Sequence, residues 1–264
     1  MMHPTTNIAL RAARQAGNAI IRAYDRPDLI RTSEKGLNDY VTNVDKDAET
    51  IILSTLSKTY PDHGFITEEA GVLGNPDSDY QWIIDPLDGT LNFSRGIPHF
   101  SVSIACRLKG QLLSCVIFDP VRQEEFTAAR GEGAYLNRTR LRVSNRDKLT
   151  SSVVACSGHV PEALHLAQGE LIGKLMEEHV VLRQSGSACL DLAWIAAGKM
   201  DAGWLHQLKH WDMAAGILLL TEAGGLVGDF EGGGNHFKTG NLIAGTPRCF
   251  KALTQMVKQT FHTP

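Results

Sequence analysis

Apolar runs in this chain are short. None approaches the ~20 consecutive residues that span a bilayer, and no charged segment followed by an apolar one opens the sequence. Both absences predict a soluble cytoplasmic protein without membrane contact. Charge of one sign is equally scarce. A formal net charge of -3 excludes a broad basic footprint for nucleic acid. It also means that an enzyme of anionic substrates would need positive charge from somewhere other than Lys and Arg, and a bound cation supplies it. The five cysteines (Cys106, Cys115, Cys156, Cys189, Cys249) are scattered, odd in number and never in a CxxC pair, which predicts buried, reduced thiols. There is no repeat, no low-complexity tract and no flexible linker; the triplet Gly232-Gly233-Gly234 reads as a loop.

What is present is an ordered alternation of elements. A length of 264 residues suits one large domain or two intimate halves. Ile8, Ala12, Ala16, Ile20 and Ala23 recur at helical spacing, so residues 7–24 form an amphipathic helix with small residues on its packed face, closed by Pro27. A second helix fits residues 42–59, with Thr42 and Asp45 spaced as a capping box. Residues 64–67 and 81–84 read as short strands ending in acids, and 99–129 as an antiparallel meander turning at Lys109-Gly110 and Asp119-Pro120. After about residue 150 strands and helices alternate. Strands are predicted at 153–155, 180–182, 201–205, 226–230 and 241–244, and helices at 161–178, 187–200, 212–223 and from 247. The division expected is an α+β half, 1–148, carrying an antiparallel sheet, and an α/β half, 149–264, the two sharing one tight interface.

The chemistry is concentrated in carboxylates at element ends. Glu68 and Asp85 each follow an apolar strand, where a side chain emerges into a crevice. Asp88 lies three residues on, across a turn stiffened by Pro86. Asp212 stands before the predicted helix 213–223, in the position of an N-cap. Converging carboxylates repel one another and rise in pKa, a conflict that Mg²⁺, with its preference for oxygen ligands, removes. Two such ions stabilise both attacking and leaving oxygens of a phosphoryl group. Gly89 and Thr90 add backbone amides and a hydroxyl for a phosphate. Taken singly, each piece has an ordinary explanation: a turn, a solvated strand end, a helix cap.

Trp82-Ile83-Ile84-Asp85-Pro86-Leu87-Asp88-Gly89-Thr90-Leu91-Asn92-Phe93 resembles the first signature of the inositol monophosphatase family. His210-Trp211-Asp212-Met213-Ala214-Ala215-Gly216, followed by Thr221-Glu222-Ala223-Gly224-Gly225, resembles its second, and Ile66-Thr67-Glu68-Glu69 precedes both. The likeness covers nearly the whole chain and is greatest to the bacterial inositol-1-monophosphatases. It implies a layered αβαβα sandwich of the α/β class, Mg²⁺ dependence, lithium sensitivity and a homodimer, to whose interface the apolar helix 187–200 is a candidate contributor. It also implies roles. Glu68, Asp85 and the Leu87 carbonyl hold one metal; Asp85 bridges to a second, completed by Asp88 and Asp212. Thr90 and Glu68 orient and help deprotonate the attacking water. Asp45 resembles an outer carboxylate near a weaker third metal. Leu87, Asp88, Gly89, Thr90 and Asp212 meet the phosphorylated substrate, Gly186-Ser187-Ala188 its hydroxyls, and Arg183 matches an arginine of the bacterial members. His99, His206 and His210 are read as structural, since nothing pairs them with a nucleophile.

Two departures from the family pattern stand out, and the second bears on substrate. Leu91 replaces the usual second threonine, a change of packing. Leu205 stands where many inositol-preferring members carry an acid that binds ring hydroxyls, which leaves the metal chemistry alone but puts inositol preference in doubt. The expected substrate is therefore myo-inositol 1-phosphate or a related sugar or polyol phosphate, with fructose 1,6-bisphosphate, NADP and phosphoadenosine phosphates as alternatives. A different class of role, contact with the transcription machinery in antitermination or RNA processing, follows from the same bacterial likeness.

Overall fold

A computed structural model describes residues 2–36 and 39–261. The outermost limits of the two expected halves, residues 1 and 264, lie outside them. In chain order the first part runs α1 (Pro4–Tyr24), β1 (Thr32–Gly36), β2 (Asp39–Thr42), α2 (Asn43–Thr59), β3 (Gly64–Thr67), β4 (Gly71–Gly74), β5 (Tyr80–Asp88), α3 (Thr90–Ser94), β6 (Ser101–Leu108), β7 (Gln111–Asp119), β8 (Glu124–Ala129), β9 (Gly133–Leu136) and β10 (Thr139–Arg140). The second runs β11 (Val153–Gly158), α4 (His165–Glu177), β12 (Val181–Arg183), α5 (Ala188–Ala196), β13 (Ala202–His206), α6 (His210–Glu222), β14 (Leu226–Gly228), α7 (His236–Thr239), β15 (Leu242–Gly245) and α8 (Pro247–Phe261).

Strands β3 to β10 make one eight-stranded sheet in the order β10-β9-β8-β7-β6-β5-β3-β4, antiparallel except where β3 runs beside β5. Strands β11 to β15 make a five-stranded sheet, β12-β11-β13-β15-β14. Helices α1 and α2 cover the outer face of the large sheet, α5 and α6 lie between the sheets, and α4 and α8 cover the far face of the small one. This is the αβαβα sandwich.

Strand periodicity builds the three cores between these layers. On β6 and β7, Val102, Ile104, Cys106, Val116 and Phe118 face α1 and α2, while Ala105, Cys115 and Ile117 face α5 and α6. On β13, Leu205 faces the central core while Ala202 and Trp204 face α4 and α8. The central core draws residues from both parts of the chain, from Ile83 and Phe126 to Leu192 and Leu219. Helix α5 is enclosed here: Leu190, Leu192, Ala193, Ile195 and Ala196 are fully buried. These side chains are used up within the chain's own core, while Trp194, Ala197 and Lys199 of the same segment keep exposure. Close approach of α5 and α6 depends on Gly216, where a methyl group would overlap the Leu192 side chain.

Sequence spacing and structure differ mainly at edges. α1 begins a turn early, because Pro4 sits comfortably in a first turn that needs no N–H partner. The 161–178 helix splits into a 3₁₀ turn (Glu162–Leu164) and α4. β4, β9 and β10 went unpredicted: each is short, and β4 and β10 are largely exposed, so they lack an apolar alternation to read.

One buried group sets a pH limit on this fold. His206 is fully buried, edge-on to Phe230 and Phe261; its Nε2 lies 3.2 Å from Gln168 Oε1 and its Nδ1 has no hydrogen-bond partner among the described residues. Burial lowers its pKa from 6.5 to about 4. The unfolded chain therefore binds the extra proton first, and stability is lost as pH falls from about 6.5 through about 4, by up to roughly 3 kcal/mol. Denaturant unfolding of His206→Gln should narrow its stability gap to wild type across that window. A gap independent of pH would contradict the assignment.

Candidate metal centre

The centre is built on a break in strand pairing. Between β5 and β6 the register passes from Asp85↔Ser103 to Asp88↔Ser101, three steps on one strand against two on the other. In an unbroken strand residues 85 and 88 would face opposite sides. The bulge, placed where Pro86 cannot donate to the ladder, turns both carboxylates to the face of Ser101 and Ser103. Gly89 then turns the chain into α3 at φ +91°, a left-handed conformation, with its α-carbon so close to the His99 and Gly186 carbonyls that a methyl group would crowd them.

Distant segments close on this bulge. Glu68, just past β3, has its amide held by the Ile84 carbonyl at 3.3 Å. Asp88 reaches the amino end of α5, accepting hydrogen bonds from the Ser187 hydroxyl, from the Ala188 N–H at 3.2 Å and from the Cys189 N–H at 3.0 Å, with Ser101 Oγ a further 3.2 Å donor. Asp212 comes from α6. The structure corrects its predicted place: α6 starts at His210, and Asp212 is its third residue, accepting the Lys209 N–H at 2.7 Å. That bond to the N-cap amide holds it from inside the helix rather than ahead of it.

The electrostatics show that four carboxylates converge. Asp85 is 2% exposed, and its pKa is raised well above the usual range, first by burial and then by Glu68, Asp88 and Asp212. Of these, Glu68 acts both through its charge and through a side-chain interaction that favours the neutral form of Asp85. Burial also raises Asp88, against the pull of its Ser187, Cys189, Ser101 and Ala188 donors. Converging carboxylates whose charges disfavour one another fit a hard divalent cation, which would relieve that conflict.

Beside it, Thr90 Oγ1 donates to Asp45 Oδ1 at 2.8 Å and lies 2.9 Å from the Leu87 carbonyl. Asp45 is fully buried at the start of α2, its other oxygen taken by the Thr42 N–H at 2.9 Å and the Thr42 hydroxyl at 2.5 Å. Burial raises its pKa. Asp45 is thus a direct partner of Thr90.

The expected substrate residues divide. Gly186 is exposed at the mouth and packed on Asn92, whose Nδ2 donates to the His99 and Ser185 carbonyls at 2.8 Å each. Ser187 is fully buried, its hydroxyl donating to Asp88 and accepting from Leu190 N–H, and the Ala188 amide also serves Asp88. These two hold Asp88. Arg183 is exposed at the end of β12, its guanidinium 2.9 Å from the Leu182 carbonyl. Leu205 is fully buried in apolar company, leaving no polar side chain at its position. His210 Nε2 donates to the Phe237 carbonyl, 3.1 Å away, and His99 packs edge-on against Trp194.

Sequence spacing missed several supports. Glu49 of α2 accepts the Glu69 N–H at 3.0 Å and so fixes the loop after β3. Asp191 of α5 accepts from the Ser157 and Ser185 hydroxyls, the second at 2.6 Å, and burial pushes its pKa up to about 7. The signal for Glu49 and Asp191 was present as an acid on the apolar stripe of a helix. Cys189, a fully buried thiol at the centre, had none.

A five-layer sandwich with this acidic centre between its sheets places the chain in a known group: it belongs to the inositol monophosphatase family, whose model matches residues 1–262. Among named relatives it is 52% identical over 254 residues to the Nus factor SuhB of Escherichia coli K12, covering 96% of this chain and 95% of that one. Among solved structures, the extragenic suppressor protein suhB of Bartonella henselae superposes with a TM-score of 0.94 at 42% identity, covering 97% and 99% of the two chains. An inositol monophosphatase from Anabaena gives 0.85 at 32%, covering 97% and 96%.

Proposed function

We propose that this protein is a Mg²⁺-dependent phosphomonoester hydrolase acting on myo-inositol 1-phosphate or a related sugar or polyol phosphate. The observation that carries this reading is the convergence of Glu68, Asp85, Asp88 and Asp212 beside the Thr90–Asp45 hydrogen bond. Glu68, Asp85, the Leu87 carbonyl, Asp88 and Asp212 would hold Mg²⁺, which supplies phosphoryl charge neutralisation and a more acidic water. The chain's own residues do the rest. Asp45 takes the Thr90 hydrogen, so the Thr90 oxygen is left to accept from an attacking water and, with Glu68, to receive its proton. The Gly89 and Thr90 amides at the start of α3 face the phosphoryl oxygens, and Asp88, fixed by three groups of the α5 turn, holds its orientation while charge moves. Hydroxyl recognition falls to Gly186 and Arg183 at the mouth. With Leu205 apolar, selection among polyol phosphates is shallow, because no buried acid is left unpaired by a poorer substrate.

Phosphate release from a panel including inositol 1-phosphate, sugar phosphates, fructose 1,6-bisphosphate, NADP and 3′-phosphoadenosine phosphates tests this. Turnover should require Mg²⁺, stop with chelator and fall with Li⁺. No turnover of any member with Mg²⁺ would end the enzyme reading.

A second role is favoured by the 52% identity to a protein named as a Nus factor. We infer a cytoplasmic homodimer that also contacts the transcription machinery. Asp88→Asn separates the roles: growth-linked function that survives loss of phosphatase activity would make the binding role primary.

A further inference from the structure

One buried group at the centre has no place in Mg²⁺ chemistry. Cys189 is the second residue of α5, and its sulfur and one oxygen each of Asp85 and Asp88 all lie within 4.8 Å of one another. The sulfur is not there by slack packing. The Cys189 N–H is bonded to Asp88 at 3.0 Å, so the helix turn that orients the carboxylate also places the thiol, and the sulfur lies 3.3 Å from the Asp212 main-chain carbonyl. All three residues are buried.

For a hard cation this sulfur is a bystander, since Mg²⁺ takes oxygen and water. For a softer one it is a ligand. Two carboxylate oxygens and a thiolate make a three-ligand set of the kind that, with a water as fourth ligand, suits Zn²⁺, and thiolate donors raise selectivity for such metals.

We propose that Cys189, with Asp85 and Asp88, captures a thiophilic divalent cation of the Zn²⁺ class, which competes with Mg²⁺ for the same carboxylates and silences the centre. The inference rests on the reading of these acids as a metal centre and names Cys189 as the residue that sets its metal specificity. On capture the S–H bond breaks, a sulfur–metal bond forms and the proton leaves to solvent; no electrons change hands.

The test uses the full chain and Co²⁺ as a coloured stand-in for Zn²⁺. Wild type should show a near-ultraviolet thiolate-to-Co²⁺ charge-transfer band that Zn²⁺ displaces, and the band should be missing from Cys189→Ala and Cys189→Ser. In chelator competition the ratio of Zn²⁺ to Mg²⁺ affinity should fall on the order of tenfold or more in both variants. Cys189→Ser keeps the side-chain volume and carries the test alone if the Ala variant does not fold. Co²⁺ bound to wild type without that band, with the affinity ratio unchanged in the variants, overturns the role of Cys189 and leaves the oxygen-ligand centre standing. Failure of Mg²⁺, Co²⁺ and Zn²⁺ alike to bind wild type overturns both.

Discussion

Asp85→Asn is expected to lower phosphate release on the order of 10³-fold or more, and to make the metal-free protein more resistant to heat. The two effects share a cause. Asp85 is the most deeply buried of the four converging acids whose surroundings are described, and Glu68, Asp88 and Asp212 all push its pKa upward. A carboxyl whose folded pKa lies above its unfolded value binds more protons folded than unfolded. In metal-free protein its stabilising contribution is present at low pH and is lost as pH rises through the folded value. Asn removes that loss, so the variant should keep its melting temperature toward alkaline pH where wild type declines. For a chain of this size each kcal/mol released is worth about 2–4 °C. Mg²⁺ should reverse the ranking by raising the melting temperature of wild type and not of the variant. Scanning calorimetry across pH, with and without Mg²⁺, checks it. An inactive variant that melts lower than metal-free wild type at every pH would mean that Asp85 is structural.

Asp45→Asn tests the proton path rather than the ligands. The Asn amide can present either a carbonyl or an N–H to Thr90, and the Thr42 N–H and hydroxyl both demand an acceptor on the other side. Thr90 then loses a charged acceptor for its hydrogen and becomes a weaker base toward water. General acid–base help of this kind is worth about 10²–10⁴-fold, so kcat should fall into that range with KM and Mg²⁺ affinity little changed. Thr90→Ala should lose a similar factor, and the double variant little more than either alone, because the pair acts as one unit. Independent, multiplying losses in the double variant would break the proposed pairing.

Much of the centre was legible in the sequence because its ligands sit where local rules are strict. An acid after an apolar strand, a Pro within a turn and a Gly before a short helix constrain the chain within a few residues, so Glu68, Asp85, Asp88, Gly89 and Thr90 could be placed by pattern. The capping box of Thr42 and Asp45 was readable for the same reason. What pattern did not carry was direction across space. The bulge that turns Asp85 and Asp88 to one face exists only in the pairing of β5 with β6. The attachment of Ser187, Ala188 and Cys189 to Asp88 spans some hundred residues and depends on α5 docking between two sheets. Asp212 looked like a cap because its helix lacks a strong start signal; Lys209 supplies an extended backbone there instead of a capping side chain. The apolar sequence of α5 is equally consistent with a core and with an interface, and only the second sheet, packed over it, decides for the core.

The central claim is that four acids from three segments hold divalent cations against a phosphate. A crystal grown with Mn²⁺ in place of Mg²⁺ and soaked with phosphate tests it most directly, because the anomalous signal of the metal locates it without reference to activity. The account predicts anomalous peaks bridged by Asp85, with Glu68 and the Leu87 carbonyl on one side, Asp88 and Asp212 on the other, and phosphate beside Gly89 and Thr90. Peaks elsewhere, or none at saturating Mn²⁺, would contradict it.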